Sequence, residues 1–258
     1  YELGFSAIHT VETPQEFRVA QEARKQGELG LRTFCYLPVK HLDMLQQLGI
    51  QQNFGDDFLQ IAGVKLFVDG TFSSQTAELL QNYQGMDHAG VENMTEAELD
   101  DLIYRAIQAK LSCAIHAIGD RAIQKSLRVL GKYNEESRKF GLRHRIEHAQ
   151  MIQPRDIPLF SKYGIFASVQ PIHLANDIPI INKYLGTGAK LTYPYKSLVN
   201  NQASLVFGSD IPIEDFNPWL AIYTAMERRY LMKDEHGQVI EEPISMLWRV
   251  ANTIAAGD

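Results

Sequence analysis

Four residues of this sequence carry side chains that could do chemistry, and each stands where a short apolar run ends or passes. Lys65 lies in GVKLFVDG, a run that closes on Asp69; His116 lies in CAIHAIGD, His148 in RIEHAQ and Asp210 in VFGSDIPIED. Two imidazoles together with carboxylate oxygens suit a borderline divalent cation such as zinc. Each residue taken singly has a plainer reading. A histidine at a strand end is more often a surface or hydrogen-bonding group than a ligand, and an aspartate after Gly-Ser can cap a helix, as can Asp120. Lys65 is harder to dismiss, because an ammonium inside an apolar strand is costly unless it is paired or neutralised. The recurrence of four such residues at equivalent ends of different strands favours one shared site.

Such a set needs a repeated scaffold. Short apolar, β-branched runs predict strands at 4–8 (GFSAI), 31–37 (LRTFCYL), 62–68 (AGVKLFV), 111–115 (LSCAI), 143–147 (RHRIE), 165–169 (IFASV) and 205–207 (LVF). Stretches of helical period lie between them. One helix is predicted at 14–26 with Thr13 as its N-cap, and a short one at 41–48. Another runs to Lys110, opened by a capping box of Thr95 and Glu98. Further helices are expected at 121–131, from Pro154, near 195–201, at 219–232 and at 244–256. Seven strands separated by helices, with no hairpin signal between neighbours, imply a parallel sheet. No Gly-rich phosphate fingerprint follows the first strand, which argues against a doubly wound nucleotide fold. An α/β fold of the TIM-like (β/α)-barrel type fits the length and the alternation, and places active residues at the C-terminal strand ends. One of the eight strands is missing.

The bulk properties exclude several classes. The 258 residues are 45% hydrophobic and carry a net charge of −6, which gives no support to nucleic-acid binding. No apolar run approaches the roughly 18 residues of a membrane span, and no signal peptide is legible. Cys35 and Cys113 both lie in apolar runs, as small core residues rather than a disulfide, which fits a cytoplasmic protein. The chain opens at Tyr1-Glu2-Leu3 and closes at Ala256-Gly257-Asp258, and is expected to be a piece of a longer protein.

Five motifs, GVKLFVDGTFSSQTA, HAIGDRAI, RHRIEHAQ, QPIHLAND and GSDIPIEDFNP, occur in one order from Gly63 onward, and the likeness they carry runs from about Gly4 to the last residues. In this the sequence resembles the amidohydrolase superfamily, specifically its amidohydrolase-3 branch, which includes N-substituted formamide deformylase-like enzymes. The resemblance implies a metal-dependent hydrolase barrel represented by strands two to eight, without the flanking β-sandwich segments. It implies that Lys65 becomes a carbamate bridging two metals, that His116 and His148 bind the second metal, and that Asp210 binds the first and shuttles the proton. One or two ions, zinc foremost, would serve the intact protein. Asp69, Arg121, His173 and Asp177 match positions near the pocket, where substrate contact and a plain structural role are both open. His9 matches no ligand position and reads as structural. The implied substrate is a small amide or N-acyl compound cleaved at its C–N bond, with neither nucleic acid nor membrane as partner; a homo-oligomer is compatible.

The sequence also departs from that pattern. The family places a His-x-His pair on its first barrel strand, and none occurs here, so the first metal would lose two ligands. Weak or absent metal binding and little activity are therefore expected of this chain by itself. A metal-free binding or regulatory relative is the competing class, although retention of Lys65, His116, His148 and Asp210 favours a hydrolase. An ester or phosphoester hydrolase on the same barrel is not separated by these residues. Substrate choice is expected to reside in loops 71–94 and 172–190.

Overall fold

The computed structural model describes residues 2–229. The helix expected at 244–256 and the end of that at 219–232 lie outside the described residues. The described chain divides into two compact units. The first comprises residues 1–169 and 180–206, and the second begins with 170–179 and 207 onward.

The strands are β1 (Ala7–Val11), β2 (Arg32–Pro38), β3 (Phe54–Gly55), β4 (Leu59–Phe67), β5 (Ser112–Ala117), β6 (Arg145–His148), β7 (Phe166–Val169) and β8 (Leu205–Phe207). The helices are α1 (Pro14–Gln26), α2 (Leu42–Gln47), α3 (Glu96–Gln108), α4 (Asp120–Lys132), α5 (Asn134–Lys139), α6 (Ile157–Tyr163), α7 (His173–Tyr184), α8 (Tyr195–Asn200) and α9 (Pro218–Arg229). The sheet order is β1-β2-β4-β5-β6-β7-β8, with β1 and β8 at its ends. Each neighbouring pair along this path from β1 to β7 is parallel. This is an incomplete α/β barrel of the TIM-like type. The short β3 is the exception, pairing antiparallel with β4, and its two residues give no sequence signal.

Register explains how the sheet sorts its side chains. Lys65 on β4 pairs with Ala114 on β5, which pairs with Arg145 on β6. Phe67, His116 and Glu147 form the next row of the same face. Because side chains alternate along a strand, the intervening Val64, Leu66, Ile115 and Ile146 face the other way and join the main hydrophobic core. That core also takes Leu99, Ile103 and Ile107 from α3 and Ile123, Leu127 and Leu130 from α4. Burying several such side chains, at roughly 1.5–3 kcal/mol each, is what holds the polar face in place.

Helix starts follow their caps. Thr13 and Glu16 form a reciprocal capping box on α1, and Thr95 and Glu98 form another on α3. Several boundaries differ from expectation. The first strand lies three residues later than predicted, so His9 sits inside β1, stacked 4.8 Å from the Phe34 ring. His144 precedes β6 instead of lying within the strand. The segment 172–190, expected as a loop, is largely helical: α7 carries Pro179 in its interior, and a 3-10 helix covers Gly186–Leu191. The helix α5 was not anticipated. Segment 71–94 has no regular element, as expected.

Cys35 and Cys113 are free and buried, and burial pushes both thiols up to about 12. Among the described residues no helix is long and apolar enough to cross a membrane.

Candidate metal centre

Lys65, His116 and His148 come from three adjacent strands and are all buried. The rings of His116 and His148 meet edge to face with centroids 4.5 Å apart. His116 is also 5.5 Å from the Phe67 ring, and the Lys65 ammonium nitrogen lies 4.9 Å from the centroid of that same ring. Lys65 and His116 therefore meet around one aromatic side chain, which is itself half exposed, and His148 packs against His116.

Burial lowers the His116 imidazole from 6.5 to about 4, with the Lys65 charge adding to the effect and the Gly70 hydrogen bond and Glu147 opposing it. The ring is thus neutral near pH 7. Its Nε2 lies 3.0 Å from the Gly70 carbonyl oxygen, which can only accept, so Nε2 carries the proton and Nδ1 the lone pair. At the end of β6 the backbone is unusual: His148 and Ala149 both adopt left-handed conformations, φ 71° and 46°. Such backbone is uncommon for residues other than glycine and clusters at functional sites.

Asp210 belongs to the second unit, where it too has a left-handed backbone, φ 60°. Its carboxylate lies 3.9 Å from Nε2 of His173, another predicted residue of that unit. Asp177 is half-buried on α7. Within the second unit Asn176 donates to Glu214 at 2.8 Å.

The remaining two predicted residues hold backbone. Asp69 is enclosed, accepting from the amides of Glu78, Ile118 and Gly119 at 3.0, 3.1 and 2.8 Å. Burial drives its carboxyl up to about 7, against the pull of those amides. Arg121, exposed at the start of α4, donates from Nε to the Leu79 carbonyl at 2.8 Å. A residue missed by sequence reasoning is Lys125, buried on α4. It reaches the Glu78 and Glu92 carboxylates at 3.0 and 2.8 Å and the Met94 carbonyl at 2.7 Å, fastening both arms of segment 71–94. Its signal was available: a lysine at a position where the helical period of α4 calls for an apolar residue.

The donor set fits a divalent cation in kind. Two imidazoles in contact are usual ligands, whereas an ammonium is not. Among the described residues no group of three or more His, Cys, Asp or Glu side chains is placed to hold a metal. The three-ligand minimum of a catalytic zinc is reached in this cluster only if Lys65 is converted to an anionic oxygen donor.

The sequence model of the amidohydrolase family matches residues 3–247. Protein LONG AFTER FAR-RED 3 of Arabidopsis thaliana is 34% identical over 239 residues, covering 91% of this chain and 41% of its own length. The crystal structure of an uncharacterised metal-dependent hydrolase from Pyrococcus horikoshii OT3 superposes with a TM-score of 0.78 at 30% identity, over 88% of this chain and 46% of that one. A second uncharacterised metal-dependent hydrolase, from Pyrococcus furiosus, gives 0.76 at 28% identity over 95% and 49%. The chain thus spans less than half the length of each of these three proteins.

Proposed function

Because the chain belongs to the amidohydrolase family, we propose that the protein it represents is a metal-dependent hydrolase of an amide or N-acyl C–N bond, with Lys65, His116 and His148 at its metal centre. The observation that carries this reading is the contact of His116 and His148, 4.5 Å apart, beside Lys65 on neighbouring strands. Two solved structures described as metal-dependent hydrolases share the fold at 28–30% identity, which supports it.

His116 and His148 would hold the cation, zinc being the best match to nitrogen ligands, and Lys65 would join them as a carbamate. When bound, a divalent cation acidifies water and polarises a carbonyl. The protein's own groups supply the rest. The enclosed face of β4–β6 keeps His116 neutral, so its nitrogen is free to bind without first losing a proton. Addition of CO₂ to the neutral Lys65 amine, with release of a proton, would give a carbamate, replacing a buried positive charge with one negative charge shared over two oxygens, which gives the odd lysine a physical reason. Asp210 takes the proton from the attacking water and returns it to the departing nitrogen, as a general base and then a general acid. His173 beside it, together with Asp177 and Arg121, is proposed to border the substrate. A formamide-type substrate and a cytoplasmic setting accompany this reading.

The test is metal analysis together with a panel of amide, N-acyl, ester and phosphoester substrates. It is applied to the 258-residue chain and to a protein of the relatives' full length. Hydrolysis of amides that follows metal content in the longer protein is expected, with little in the shorter one. Metal-independent binding without turnover in both would favour the regulatory alternative.

A further inference from the structure

Asp69 follows the end of β4, the strand that carries Lys65, and its side chain has no exposed surface. The three amides that converge on it come from two separate stretches: Glu78 from the segment after β4, Ile118 and Gly119 from the turn between β5 and α4. Its Oδ1 is 3.6 Å from His116 Nε2, and the carbonyl of the next residue, Gly70, is 3.0 Å from that same nitrogen. The Asp69 carbonyl itself accepts from Asn93 Nδ2 at 2.8 Å.

We propose that Asp69 is a positioning residue for His116: with the Gly70 carbonyl it keeps the imidazole protonated on Nε2, leaving Nδ1 as the nitrogen available to a cation. This rests on the reading of His116 as a ligand. The Gly70 carbonyl is the hydrogen-bond acceptor for Nε2 and the Asp69 carboxylate stands just beyond hydrogen-bond distance of it at 3.6 Å; a neutral imidazole has a single N–H, so the other nitrogen carries the lone pair. Metal-binding histidines commonly send the second N–H to a carboxylate or carbonyl, which fixes the tautomer and raises basicity. Here the same carboxylate also pins the backbone two and three residues beyond His116. That turn is pressed against the segment after β4, since a Cβ on Gly119 would stand 2.1 Å from the Glu78 carbonyl oxygen. Asp69 accordingly joins strand end, turn and loop. A substrate contact is a poor use of a side chain with no exposed surface.

The experiment is ¹⁵N NMR of the histidine rings in the 258-residue chain at pH 8, with His116 assigned from His116→Gln. The wild type is expected to show His116 protonated on Nε2 with Nδ1 bare. Asp69→Asn keeps the shape but turns an acceptor into a donor, and should lower the Nε2–H to Nδ1–H ratio at least about tenfold. The ring of His144, buried elsewhere in the core, serves as the internal control for folding. A wild-type His116 protonated on Nδ1 overturns the proposal even if Asp69→Asn fails to fold. So does an unchanged ratio in an Asp69→Asn protein whose His144 signals are intact. Zinc titration of the same two proteins separates this from the metal reading. A tautomer shift without zinc binding by wild type, including in a full-length relative-sized chain, would remove the metal reading and leave the positioning role. Where zinc does bind, Asp69→Asn should weaken it by about 10–100-fold.

Discussion

Two cationic side chains occupy the same row of the same sheet face and are handled in opposite ways. Arg145 on β6 is stacked 4.3 Å over the Tyr36 ring and ion-paired with Glu147, both side chains nearly enclosed. Lys65 on β4, two strands away in that row, lies over Phe67 beside two histidines. A guanidinium keeps its charge at any accessible pH, so burying it requires a matching carboxylate. An amine can lose its charge by deprotonation or by covalent conversion. The pairing of Arg145 suits a structural role, and under the proposed function the company Lys65 keeps suits a metal centre.

The largest effect that would sharpen this contrast is on turnover. In a protein of the relatives' full length, Lys65→Ala and Asp210→Asn should each reduce hydrolysis at least about 10³-fold while leaving the circular dichroism spectrum unchanged. Short carboxylic acids should restore part of the activity of Lys65→Ala by standing in for the carbamate. Wild-type rates in either variant would erase the distinction drawn between the two cations.

Next comes stability. Glu147→Gln strands the Arg145 guanidinium in an enclosed site and should cost about 3–5 kcal/mol in urea unfolding of the 258-residue chain. Lys65→Met in the metal-free chain should change stability by no more than about 1 kcal/mol in either direction, because it replaces a buried cation with an apolar side chain of similar length. If the two substitutions cost the same, Arg145 and Lys65 are equivalent structural cations.

A third test concerns a histidine with no place in the metal centre. His144 accepts the Cys113 amide on Nδ1 at 3.1 Å and donates from Nε2 to the Ser137 hydroxyl at 3.0 Å. Burial lowers it from 6.5 to about 4. Between those values the unfolded chain takes up the proton and the folded protein does not. The ring's contribution is therefore full above about pH 6.5 and is lost as pH falls through 4, on the order of 3 kcal/mol. Asp69, raised from 3.8 to about 7, has the opposite sign, favouring the fold at low pH and losing that contribution as pH rises through 7. The contribution of His144 is isolated by comparison with His144→Gln. The stability difference between the two proteins should shrink as pH falls from 6.5 to 4, and a constant difference would contradict it.

Much of this was legible in the sequence because alternation is a local property. Lys65 stands out in GVKLFVDG since Val64 and Leu66 on either side belong to the core. The strand carrying it, and those carrying His116 and His148, were placed to within a few residues. What escaped notice depends on distant partners or on backbone that no residue type announces. The enclosure of Asp69 is made by amides 9 to 50 positions away in the chain. The left-handed backbone of His148 and Asp210 involves no glycine, and the preference of histidine and aspartate for that region is too weak to mark it in a sequence. Helix α7 was hidden by Pro179, which reads as a breaker, although the helix contains it. β1 was misplaced because Gly4 and Phe5 resemble a strand start, while the ladder to β2 begins at Ala7.

The central claim is that the ends of β4, β5 and β6 form a metal centre. It is tested most directly by elemental analysis after dialysis of a protein of the relatives' full length, wild type beside the His116→Asn, His148→Asn double variant. The account predicts one to two equivalents of zinc or a similar cation in the wild type and the loss of at least one in the variant, with the fold retained. Equal metal in both proteins would place the metal elsewhere and contradict it.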